Sequence, residues 1–166
     1  MKTLKSLFLF VITTTLLSSC STEPIKVYAD VESLINEAQE KAVFIKADEL
    51  KTIIDNKHNF IIVDCREPDI YVEGHIPGSV NIPRGILEFS GKISNRREPV
   101  YIYCNDYKKA VLAAESLIKL KYQVVKVVDG GWEKWHETYP ELIEEGAGGS
   151  AEEEIAKPSD GGGCGG

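Results

Sequence analysis

Val100-Tyr101-Ile102-Tyr103-Cys104-Asn105-Asp106-Tyr107-Lys108-Lys109-Ala110 decides the fold of this chain. Four β-branched or aromatic residues run together without polar alternation, the pattern of a strand buried on both faces of a parallel sheet. Cys104 ends the run, and a polar loop follows. From Ala110 to Lys119 the Ala, Leu and Ile residues fall on one helical face. Strand, loop and helix form half of a βαβ unit, and ligands of such sheets gather at the carboxyl ends of the strands.

The same grammar extends in both directions. Phe60–Val63 is a second continuous apolar run, ending at Asp64; Val43–Ile45, Ser79–Ile82 and Val124–Val128 read as shorter strands. Asp30–Lys41 reads as an amphipathic helix capped by Asp30, with Val31, Leu34, Ile35 and Ala38 on one face. Asp48–Asp55 is a further helix, Gly85–Phe89 a helical turn, and a short helix surrounds Trp132 and Trp135. Pro68, Gly74, Pro77, Gly78, Pro83 and Gly85 make residues 65–85 read mainly as turns. Strands alternating with helices imply an α/β fold of three layers, a central, mostly parallel sheet flanked by helices.

The ends differ from the middle. Lys2 and Lys5 precede a short apolar run, Leu7–Leu17, too short to cross a bilayer. Leu17-Ser18-Ser19-Cys20 follows, and it resembles the lipobox of bacterial lipoproteins. That resemblance implies a signal peptide over 1–19, a lipidated Cys20, and anchoring to a membrane of the bacterial envelope. Ser21 favours the outer membrane by the same resemblance. Residues 20–42 then form a tether and N-terminal helix, 43–142 the globular domain, and 143–166 a disordered Gly/Glu-rich tail. With 19 basic and 26 acidic residues the net charge is −7; loss of Lys2 and Lys5 takes it to −9. Without a cluster of Lys and Arg, nucleic acid is excluded as a partner. Cys65, Cys104 and Cys164 remain once Cys20 is assigned, an odd number that points to a free thiol. The cysteines and the three histidines show no metal-ligand spacing.

Two readings of Cys104 follow from its place alone. It is a small buried residue at a strand end, or it is a nucleophile in a loop whose backbone N–H groups cradle an anion. On the second reading the helix N-terminus with Lys108 and Lys109 lowers the thiol pKa, while the Asp106 carboxylate opposes them.

Four motifs in register carry a resemblance to a known family. Val63-Asp64-Cys65-Arg66-Glu67-Pro68 and Gly74-His75-Ile76-Pro77-Gly78-Ser79 resemble the two halves of the rhodanese signature, and Tyr103-Cys104 is similar to its catalytic strand end. Gly130-Gly131-Trp132 with Trp135 resembles its closing element. The likeness spans about Val43 to Pro140. It implies a sulfurtransferase without cofactor that takes sulfur from a small donor anion, thiosulfate or polysulfide. Cys104 would hold that sulfur as a persulfide and pass it to cyanide, a thiol or a redox partner protein. It further implies that Asn105, Asp106, Tyr107, Lys108 and Lys109 form the substrate loop, that Asp64 and Arg66 support the site as a buried pair, and that His75 is structural in its turn. Arg66 as an anion contact is the alternative. Trp132 and Trp135 read as core residues.

The sequence departs from the family where specificity is set. Tyr107, Lys109 and Ala110 stand where Gly, Arg and Ser are common, exchanging a flexible position and a bidentate fork for a bulky ring and a point charge. Cys65 occupies a position usually aliphatic, as a core side chain or a resolving thiol for Cys104. Cys164, near the end of the tail, is a second accessory thiol, since a Gly-rich coil from Pro140 reaches roughly 27 Å. Two other functions compete. A Cys-based phosphatase needs an Arg six residues after the cysteine, where this chain has Ala110. A non-catalytic envelope lipoprotein would use the same fold for binding or assembly.

Overall fold

The computed structural model describes residues 26–57 and 59–146. Cys20, the apolar run before it and residues 147–166 of the expected tail, Cys164 among them, lie outside them, whereas residues 143–146 of that tail are described. Five strands form one sheet: β1 (Phe44–Ile45), β2 (Ile61–Asp64), β3 (Val80–Asn81), β4 (Val100–Tyr103) and β5 (Val125–Val128). Their order is β1-β5-β4-β2-β3, and every pair is parallel. β2 and β4, where the continuous apolar runs lie, are thereby interior with partners on both sides, which is why they lack polar alternation; β5 is interior too and carries Lys126.

Helices cover both faces, as expected for a three-layer α/β fold. Val63, Ile102 and Val127 point to one face and pack under α1 (Val31–Lys41) and α4 (Tyr107–Lys119) through Ile35, Ala38, Val111, Ala114 and Leu117. Ile62, Tyr101, Tyr103 and Val128 point to the other, under α2 (Ala47–Asp55) and α5 (Gly131–Thr138) through Leu50 and Trp135. A capping box starts α1, where the Asp30 carboxylate accepts from the Ser33 N–H at 2.8 Å. Because α1 joins the core, the packed body begins before Val43. It also continues to Glu144, whose backbone pairs with His75.

Two expectations are corrected. Residues 65–85 are not turns alone: Pro68–Glu73 is a helix, α3, with Pro68 in its first turn and Gly74 as its C-cap. Helix α4 begins at Tyr107, three residues ahead of the expected Ala110, because the Asp106 side chain accepts from the Lys108 N–H at 2.9 Å and caps it. Gly85–Phe89 is part of a 3-10 turn over Arg84–Phe89. Among the described residues no helix is long and apolar enough to cross a membrane.

Candidate active site

Cys104 follows the last residue of β4 and lies two residues before the N-cap partner of α4, at the carboxyl edge of the sheet. It is 2% exposed. Its thiol donates to Asn105 Oδ1 at 3.3 Å, a bond that favours the protonated form. Burial pushes the thiol pKa up, and the backbone N–H groups of Asp106 and Asn105 only partly offset it. This reverses the expected lowering. Lys108 does not serve the thiol at all, since its Nζ reaches Glu32 of α1 at 3.1 Å. Lys109 is exposed and a minor influence, and the repulsion comes from Asp64 rather than from Asp106, whose carboxylate is spent on capping.

A pH dependence follows. The thiolate is the reacting form, so alkylation of Cys104 by iodoacetamide should keep climbing past about pH 8.5, the ordinary thiol value. A rate that levels off near neutrality would show the helix N-terminus outweighing burial.

The loop is shorter than its sequence implies. Asn105 and Asp106 are its only residues outside helix, since Tyr107, Lys108 and Lys109 belong to the first turn of α4. Tyr107 is exposed, and it is not among the non-glycine residues with positive φ. Its backbone therefore does not call for the glycine it replaces. Glycine is required instead behind Cys104: at Gly131, with φ of 55°, a Cβ would lie 2.2 Å from the Cys104 carbonyl oxygen. The Trp132 N–H donates to that carbonyl at 3.1 Å. The Gly-Gly-Trp element is thus the wall against which the Cys104 backbone rests.

Asp64 and Arg66 are 0% and 2% exposed. Arg66 gives Nε to both Asp64 oxygens at 3.0 Å and Nη2 to Oδ2 at 2.6 Å, while its own backbone N–H reaches Oδ1 at 2.8 Å. Nη2 also donates to the Gly74 carbonyl at 2.7 Å, and the guanidinium stacks 4.2 Å from the Trp132 ring centroid. With Nε and Nη2 so committed, Arg66 holds the turn after α3. Trp132 is half-buried over that guanidinium, whereas Trp135 is in the core and donates to the Leu142 carbonyl at 2.9 Å.

His75 is buried, stacked on Tyr71 with centroids 3.8 Å apart, and its Nδ1 meets the Tyr71 carbonyl at 2.9 Å. Its Nε2 has no hydrogen-bond partner and lies 3.7 Å from Glu144. The Ser79 hydroxyl and the Ile76 N–H both meet Tyr103 Oη at 3.1 Å. Residues 74–79 are thereby pinned to β4 one residue before the cysteine. The sequence pattern names Tyr103 only as part of the strand end, offers no role for Glu144 and reads Trp132 as core, whereas the Tyr103 hydroxyl, Glu144 and Trp132 each hold part of the site. The tyrosine's place beside Cys104 was a usable signal; Glu144, far along the chain, offered none.

The family model for the Rhodanese-like domain matches residues 46–138. YrkF of Bacillus subtilis, provisionally named a sulfur carrier protein, is 31% identical over 91 residues, which are 55% of this chain and 49% of that protein. The chain thus spans about half the length of that relative. The thiosulfate sulfurtransferase GlpE of Pseudoalteromonas translucida is 29% identical over 89 residues, 54% of this chain and 85% of that protein. Among solved structures, a protein of unknown function from Rhodopseudomonas palustris, described as a possible tyrosine phosphatase, superimposes with a TM-score of 0.59. It is 22% identical, covering 69% of this chain and 95% of that one, a likeness that speaks for the fold alone.

Proposed function

The chain belongs to the rhodanese-like domain family, and on that premise we propose that it is a sulfurtransferase in which Cys104 carries sulfane sulfur as a persulfide. The observation that carries this reading is a free thiol at the carboxyl end of the central strand, facing the N–H groups of Asn105 and Asp106 ahead of the 13-residue helix α4. The Cys104 thiolate attacks the outer sulfur of a donor. The sulfur–sulfur bond of thiosulfate breaks and sulfite leaves, or a shortened polysulfide leaves. An acceptor thiol, or cyanide, then takes the outer sulfur and frees the cysteine. The two loop N–H groups and the start of α4 stabilise negative charge on the sulfurs during both steps. The names of YrkF and GlpE agree with this chemistry.

Access and charge favour a small donor. A residue 2% exposed admits a slim anion, and the loop offers no arginine to fork a dianion. A phosphatase reaction is disfavoured for the same reason: the clamp position, Ala110, is apolar and buried in α4. A non-catalytic reading draws on one feature, the raised pKa of the thiol. Incubation with thiosulfate or polysulfide followed by cyanide separates the two. Thiocyanate released in step with the protein supports the transferase, and none from any donor supports the binding module.

We also propose that the protein works at the bacterial envelope, anchored by a lipidated Cys20. Several acyl chains give firm attachment where one would be marginal. Cys20→Ala should move the protein from the membrane to the soluble fraction or leave its precursor uncleaved. An unchanged membrane fraction would remove the anchor. Cys164 stays a proposed accessory thiol for the same sulfur.

A further inference from the structure

Cys65 and Cys104 are in-register neighbours on adjacent parallel strands. The β2–β4 pairing runs from Ile61 opposite Val100 to Asp64 opposite Tyr103. The ladder continues one residue further. The Ile61 N–H bonds the carbonyl of Pro99, the residue before its partner, at 2.9 Å. The Cys65 N–H bonds the carbonyl of Tyr103, the residue before Cys104, at 3.0 Å. Each cysteine is two positions beyond Val63 and Ile102, which face each other in the same apolar cluster, and both cysteines belong to that cluster. Their side chains therefore leave the sheet on one face. Neighbouring strands stand about 4.8 Å apart, inside the roughly 4.4–6.8 Å between Cα atoms that a disulfide bridges. Both thiols are free.

We propose that Cys65 is a resolving thiol, closing an intramolecular disulfide with Cys104 when a hydroperoxide oxidises the latter. The Cys104 thiolate attacks one peroxide oxygen, the O–O bond breaks, and an alcohol or water leaves. The sulfur, oxidised by two electrons, is then a sulfenic acid. The Cys65 sulfur attacks it, the S–O bond breaks, and the hydroxyl departs as water with the Cys65 proton. A dithiol reductant reverses the bond and is itself oxidised to a disulfide. Burial raises the Cys65 thiol further above the ordinary value than that of Cys104, which the Asn105 and Asp106 N–H groups face, so oxidation begins at Cys104. Burial holds the Cys65 thiol protonated, which keeps it inert until a strong electrophile forms beside it. The device would spare Cys104 from irreversible sulfinic acid and silence it reversibly. It requires only the two thiols and stands whether or not Cys104 carries sulfur.

The test is peptide mapping of the full chain by mass spectrometry after one equivalent of hydrogen peroxide. The expected product is a Cys65–Cys104 crosslink, lighter by two hydrogens and opened by dithiothreitol. Cys65→Ala should instead gather sulfinic and sulfonic acid on Cys104 that dithiothreitol cannot reverse; Cys65→Val repeats this with a fuller core. Wild-type Cys104 over-oxidising as fast as in these variants would overturn the proposal. So would a Cys104 crosslink to Cys164 or Cys20 in place of Cys65. The wild-type crosslink is decisive even if both variants unfold.

Discussion

Cys104→Ser should lose all sulfur loading and all thiocyanate release, falling to the rate without protein. Serine keeps the size of the side chain and the hydrogen bond to Asn105 Oδ1, so the fold is disturbed by only about 1 kcal/mol. What it removes is the polarizable sulfur, the atom that has to attack and then hold the transferred sulfur. Loading is read by intact mass, and folding by urea titration of the same sample. Turnover that survives in a well-folded variant would take Cys104 out of the mechanism and leave the family fold in place. A loss of turnover accompanied by unfolding is excluded by the second measurement.

Asp64→Ala should cost about 3–5 kcal/mol of stability, because it leaves a buried charge without its partner. The carboxylate accepts four hydrogen bonds from Arg66, one from its backbone and three from its guanidinium. Without it, a guanidinium 2% exposed keeps its charge in the interior with only the Gly74 carbonyl and aromatic faces around it. Replacing both partners, as Asp64→Leu with Arg66→Met, should recover much of the loss, because the desolvated charge goes with its partner. Urea midpoints for the three proteins check this. A single-variant loss under about 1 kcal/mol would mean that the pair is hydrated in solution.

These two residues illustrate what each level of description contributes. Asp64-x-Arg66 was legible as a pair from the resemblance, and the structure adds its purpose: it ties β2 to Gly74 and supports Trp132. Cys104 was legible as the residue at the end of a buried strand. Its reactivity has the opposite sign to the one its neighbours in sequence predict, since two adjacent lysines imply a lowered pKa and burial raises it. One of those, Lys108, is drawn away by Glu32, a residue 76 positions earlier in the chain. The other is exposed.

The class of fold, the central strands and the cysteine's position at the carboxyl edge are all legible in local pattern. Uninterrupted apolar runs and helical spacing are written within a few neighbouring residues and need nothing distant to be read. Helix α3 was the exception, because Pro68 and Gly74, which begin and cap it, are also the commonest turn residues. Packing of remote segments sets the rest: β4 lies between β2 and β5, Cys65 therefore stands opposite Cys104, and burial governs the thiol. Register and desolvation depend on which remote segments pack together, and no local pattern around Cys104 carries that information.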